Sequence, residues 1–215
     1  VNKNMNFQQP NGLQKNQLDT ASPPQTVAVR ATLRTETAQA HRRLDSLAAR
    51  FDLCSDKGCS DFLRASAAAL IPVEHALERM GVAQFLEDWP ARARAGAILA
   101  DLEALGVTVS SGASPVSLPS SRSGLFGALY VLEGSRLGAR ALLKQLEAAG
   151  DRVRSNLRYL EHGNDKQGGG ADLWRTFAAR LEGAVTDAPG LEAAVAGAHT
   201  VFGVFLDCFA GRATS

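Results

Sequence analysis

This 215-residue sequence predicts an all-α fold, and three observations carry that reading. The apolar residues are chiefly 36 Ala and 27 Leu, against 14 Val and 2 Ile, so strong helix formers dominate and β-branched strand formers are scarce. Only 8 Pro occur, and none falls between Pro119 and Pro189. Leu33, Ala40, Leu44, Leu47, Ala48 and Phe51 share one arc at about 100° per residue, the period of an amphipathic helix.

Each element follows from local signals. Residues 1–26 are rich in Asn, Gln and Pro without a period and predict a disordered tail, with the helical domain spanning 27–212. Thr26 can cap a first helix over 27–51. A loop, CSDKGCS, separates it from a second helix over 61–80, with Pro72 as a kink and Gly81 as its C-terminal stop. Pro90 opens a third helix that ends at Gly106. Residues 107–123 are rich in Ser and Pro and predict a loop. A long helix covers 123–149, a short one 152–160, a glycine-rich loop 162–170, and two last helices 171–185 and 191–209.

Composition narrows the function. The formal net charge is +1, from 23 Lys+Arg against 22 Asp+Glu, which argues against nucleic acid or an anionic membrane surface as partner. Three Cys provide no disulfide framework, so a reduced, cytoplasmic setting is expected. No apolar run approaching the roughly 20 residues of a membrane span is read, and no secretory h-region.

The stretch SGLFGALYVLEGSRLGARALLKQLEAAG breaks its own helical rules. It carries Gly124, Gly127, Gly134 and Gly138, each costing about 1 kcal/mol against Ala. These glycines, with Val131 between them, fall within an arc of about 80°, so one helix face is a trough of bare backbone with Ser135 at its edge. Two readings stay open: close packing of another helix, or a flat ligand lying against the backbone.

Four His are present: His41, His75, His162 and His199. His41 lies beside the apolar arc of the first helix, with Arg34 two turns earlier and Thr37 and Asp45 one turn either side. His199 is a rival, on a stripe with Val195, Phe202 and Phe209, whereas His162 in the glycine-rich loop is expected to be exposed.

The segment LRTETAQAHRRLD (33–45), followed by YVLEGSRLGAR (130–140), resembles heme oxygenase, and is most similar to the bacterial, bacteriophytochrome-associated branch. Trp174, Arg175, Phe177, Phe202 and Phe205 add support. The resemblance implies a heme, both substrate and cofactor, sandwiched between the first helix and the glycine-rich one. His41 is then the proximal iron ligand and leaves the sixth position for O₂. Arg34 and Arg175 are the implied propionate partners; Thr37, Asp45, Tyr130, Val131 and Phe202 complete the heme contacts. Gly134 and Gly138 give the ring room, and Ser135 orders distal water where animal-type members have Asp. Ala139 stands where many members have a further Gly.

The implied reaction opens heme to biliverdin, Fe²⁺ and CO, with electrons from a ferredoxin or an NADPH-dependent reductase. A bacteriophytochrome is the implied biliverdin acceptor. A non-catalytic heme-binding or heme-sensing protein on the same fold is the alternative, and an all-α interaction domain the third reading. Cys54 and Cys59, spaced C-x₄-C without a second pair, do not read as a zinc site. GSRLGA lacks the preceding strand of a dinucleotide fingerprint. The cluster His41-Arg42-Arg43 reads as a solvated face that can also dock an acidic electron donor.

Overall fold

The computed structural model describes residues 28–108, 115–147, 157–163 and 169–212. They form eight α-helices: α1 (Val29–Ala48), α2 (Asp56–Arg79), α3 (Trp89–Arg92), α4 (Ala95–Ala104), α5 (Arg122–Glu147), α6 (Arg158–Glu161), α7 (Gly169–Ala184) and α8 (Ala188–Arg212). A 3₁₀ turn at Val82–Gln84 joins α2 to α3, and no strand occurs among the described residues. The predicted tail, residues 109–114 of the predicted loop, and most of the predicted 152–160 helix lie outside the described residues.

The helix α8 is the axle of the fold: it packs on α5, α1 and α2. Its segment Ala188–Gly211 holds an 18-residue window of mean hydropathy 1.6, so by length and composition alone it is long and apolar enough for a membrane span. That corrects the expectation of no such run. The interruptions by Glu192, His199 and Asp207 are too few to lower the average. Packing accounts for part of that apolarity: Ala194, Ala198, Val201, Phe202, Phe205 and Phe209 are buried in the core, and 39% of the apolar window is buried.

Several boundaries differ from the sequence expectation for local reasons. The second helix starts at Asp56, because the Ser55 hydroxyl caps it by accepting the Gly58 N–H at 3.1 Å. It then runs through Pro72 to Arg79, and Gly81 (φ +73°) follows in the left-handed conformation that a helix stop favours. The expected third helix is two helices. Ala93 is extended (ψ 134°) and breaks it. The Glu74 carboxylate, reaching across from α2, accepts the N–H groups of Arg94 (2.8 Å) and Ala95 (2.9 Å) and so caps α4. Asp101 does the same for α6, accepting from Arg158 N and Tyr159 N at 3.1 and 2.8 Å. Burial pushes both carboxyls above their ordinary range, against the pull of those N–H groups. Asp187 accepts the Gly190 N–H at 2.7 Å and starts α8 three residues earlier than expected.

Candidate functional site

The four glycines of α5 divide into two pairs. A Cβ on Gly127 would lie 1.8 Å from the Ala194 carbonyl oxygen, and one on Gly197 would lie 2.1 Å from that of Gly124. A Cβ on Gly124 would meet Pro119 at 2.6 Å. At this end the bare backbone is helix packing, α5 against α8. Gly134 and Gly138 differ. A Cβ on Gly138 meets nothing within 4 Å, and one on Gly134 meets only Trp174, at 3.8 Å. Their missing side chains leave a face that nothing among the described residues fills. The close-packing reading of the trough therefore holds for Gly124 and Gly127, and Gly134 and Gly138 are left without a helix against them.

On α1, the His41 ring is exposed and its Nδ1 lies 2.9 Å from Asp45 Oδ2, with Phe202 of α8 edge-on at 6.2 Å between ring centroids. A carboxylate on Nδ1 fixes the tautomer in which Nε2 is the free acceptor, the state in which imidazole ligates a metal. Thr37 is buried and its hydroxyl donates back to Leu33 O at 2.6 Å, so its proton is committed within the helix. Arg34 is exposed, and its positive charge is felt at Tyr130 on α5, where it opposes the upward push of burial on the phenol. Helices α1 and α5 both pack on α8 but make no extensive contact with each other.

Tyr130 stacks obliquely on Trp174 at 5.8 Å, which brings α7 to the Gly134 end of the trough. Trp174 is also one wall of an open groove of about 320 Å³ between α1 and α7, with Arg30, Arg175 and Glu182 on its rim. Arg175 is exposed there and paired with Asp172 at 2.8 Å. Val131 is buried beneath the trough. Ala139 is buried in the hydrophobic core, so its methyl does not stand on the open glycine face. The donor set fits a flat, iron-bearing, anionic ring: one oriented imidazole, a glycine face, aromatic walls and exposed guanidiniums.

Ser135 is partly buried and already engaged. Its hydroxyl donates to Leu132 O at 2.7 Å and accepts from Arg94 Nη2 at 2.8 Å. Among the other His, His75 and His199 are exposed. His162 corrects the expectation of an exposed loop residue. It is half-buried, and its carbonyl accepts from Arg136 Nη1 at 3.0 Å. Burial first, and the charges of Arg136 and Arg94 next, hold its pKa below the ordinary value.

The sequence reading missed an ion cluster built by the same motif. Glu133 and Arg136 flank Gly134 and Ser135 in the chain but point the other way. Glu133 binds Arg92 of α3 at 2.6 Å and Arg136 at 3.2 Å, with all three side chains at most 1% exposed. Arg92 also reaches Asp88 at 2.7 Å and Leu173 O at 3.0 Å, and Arg136 donates to the Arg92 carbonyl. The signal was present: at about 100° per residue, Glu133 falls on the face opposite the glycines.

No family model matches the chain. It is 34% identical over 125 residues to a heme oxygenase of Xanthomonas campestris pv. campestris, covering 58% of this chain and 72% of that relative. It is 31% identical over 200 residues to heme oxygenase PigA of Pseudomonas aeruginosa, covering 88% of this chain and 96% of that relative. The chain therefore belongs to the heme oxygenase family, whose members are enzymes acting on heme.

Proposed function

We propose that the chain binds heme between α1 and the Gly134–Gly138 face of α5 and opens it to biliverdin, Fe²⁺ and CO. The observation that carries this reading is an Asp45-held His41 on α1 together with a glycine face on α5 that no described side chain fills. The heme, once bound, supplies the oxidative chemistry with O₂ and electrons. The protein's residues hold and orient it. His41 Nε2 is the iron ligand. Arg34 and Arg175 meet the two propionates, and Phe202, Tyr130 and Val131 pack against the ring. Gly134 and Gly138 admit it closely, and Ser135 holds water at its distal side.

The electrons come from a ferredoxin or an NADPH-dependent reductase docking on the Arg42-Arg43 face, which is exposed. A bacteriophytochrome is the proposed acceptor of the biliverdin. The setting is cytoplasmic.

The test adds hemin to the heme-free protein and follows the visible spectrum, then adds ascorbate in air. A sharp Soret band that decays into bilin absorption is the expected result. A Soret band that persists would make this a heme holder without turnover. No Soret band would return the glycine face to protein packing.

A further inference from the structure

We propose that the Arg30–Glu182 ion pair is an exchangeable clasp at the mouth of this site: a carboxylate of the incoming heme takes Arg30 and releases Glu182. The proposal rests on the heme reading above. Arg30 Nε donates to Glu182 Oε1 at 2.7 Å and so joins α1 to α7, on the rim of the open groove of about 320 Å³ between those helices. At about 100° per residue Arg30, Arg34 and His41 share an arc of about 40° on α1, and all three are exposed. Arg30 is therefore in line with the imidazole, about 16 Å away along the axis.

The groove and the glycine face share a wall. Trp174 lines the groove, and among the described residues it is also the side chain that a Cβ on Gly134 would meet, at 3.8 Å. The rest of the lining on α7 is the small apolar strip of Ala178 and Ala179, bounded by Arg175 at one end and Glu182 two turns later. An aromatic wall, an alanine strip and guanidiniums fit the edge of a flat apolar ring that carries carboxylates.

Both guanidiniums at the groove already hold a carboxylate of the chain itself: Arg30 that of Glu182, and Arg175 that of Asp172 at 2.8 Å. Replacing one carboxylate by another leaves the guanidinium balanced before and after, so the exchange leaves no uncompensated charge. The Arg30 and Glu182 side chains are 55% and 35% exposed, so solvent screens the pair and it opens readily. Opening it also removes a tie between the two helices that wall the groove.

The test is a double-mutant cycle of R30M and E182Q, read with hemin and with its dimethyl ester, which has no free carboxylate. In stopped flow at the Soret band, E182Q speeds hemin association by up to about fivefold, the ceiling set by an exposed pair. R30M slows it, and in the R30M background E182Q has a smaller effect. Association of the ester does not respond to E182Q. That arm needs no change at Arg30, so it decides the matter if R30M loses its helical circular dichroism.

Thermal midpoints give a second readout. In heme-free protein the two substitutions are non-additive, and in hemin-loaded protein they add, because the pair has been exchanged. An E182Q effect that is absent, that is equal with and without Arg30, or that is equal for hemin and its ester overturns the clasp and leaves the heme reading standing. So does a coupling that survives hemin loading. A wild type without a Soret band overturns both.

Discussion

Asp45 Oδ2 lies 2.9 Å from His41 Nδ1, one turn further along α1, so the imidazole carries its own orienting carboxylate on the same helix. Both side chains are more than 60% exposed, so the bond is screened by solvent and its effect on stability is small. Its effect on ligation is larger, because it sets which nitrogen is free. Asp45→Ala is expected to weaken hemin binding about tenfold, the lower end of what such outer partners contribute, with no change in helix content. His41→Ala is expected to abolish the five-coordinate spectrum. Hemin titrations followed at the Soret band check both. A normal spectrum in His41→Ala together with a lost one in His199→Ala would move the ligand to α8.

The division of the α5 glycines predicts opposite outcomes for the same substitution. Gly127→Ala drives a methyl into the Ala194 backbone, so it is expected to lower stability by about 1–3 kcal/mol despite the better helix former. Gly138→Ala meets nothing, and is expected to raise stability by up to about 1 kcal/mol while weakening hemin binding. Gly134→Leu is expected to fold and to bind hemin at least about tenfold less tightly, a cost of about 1.4 kcal/mol or more. Thermal melts and titrations on the three variants give the answer. Normal hemin binding by both Gly134→Leu and Gly138→Ala would show that this face serves something else.

The buried ion cluster predicts a stability effect without a direct ligand effect. Glu133→Gln leaves Arg92 and Arg136 buried without their shared carboxylate, and is expected to cost about 3–5 kcal/mol. Denaturant unfolding of the heme-free protein measures it. A loss below about 1 kcal/mol would mean that the cluster relaxes to take in water.

The acid limb of stability carries a His162 contribution. Its folded pKa is depressed by burial and by Arg136, so below the unfolded value of about 6.5 the unfolded chain takes up a proton that the folded protein refuses. Stability from this group is therefore complete above that pH and lost as pH falls toward the folded value. Glu74 and Asp101, raised by burial, act in the opposite sense over their own interval, since the folded protein accepts their protons first. The measurement is a difference: thermal midpoints from pH 7.5 to 5.5 are expected to fall less in His162→Gln than in the wild type. Equal slopes would remove His162 from the acid response.

The fold class and the helices α1 and α5 were legible because Ala and Leu at helical spacing are a long-range signal, repeated over many residues. What was illegible depends on single contacts between distant segments. Ala93 breaks a helix although nothing about Ala favours a break. The cause is Glu74, which lies 20 residues before Arg94 and caps the helix that follows. Ser135 reads as an edge residue of the trough, yet the partner that orients it comes from the α3–α4 link. His162 reads as a loop histidine because the Arg136 contact that draws it inward leaves no mark in its neighbours. The glycines show the same limit. Their common face was visible in the spacing, but which of them meet a helix depends on where α8 crosses.

That crossing makes α5 a lever. Gly127 and Gly197 bring two backbones into direct contact, which pins one end of the helix on a fulcrum. Gly138 lies eleven residues farther out, about 16 Å along the axis. Between the two points Glu133 and Arg136 tie the helix to Arg92, so a shift of Ala194 against Gly127 would load that tie before it reached the open glycines.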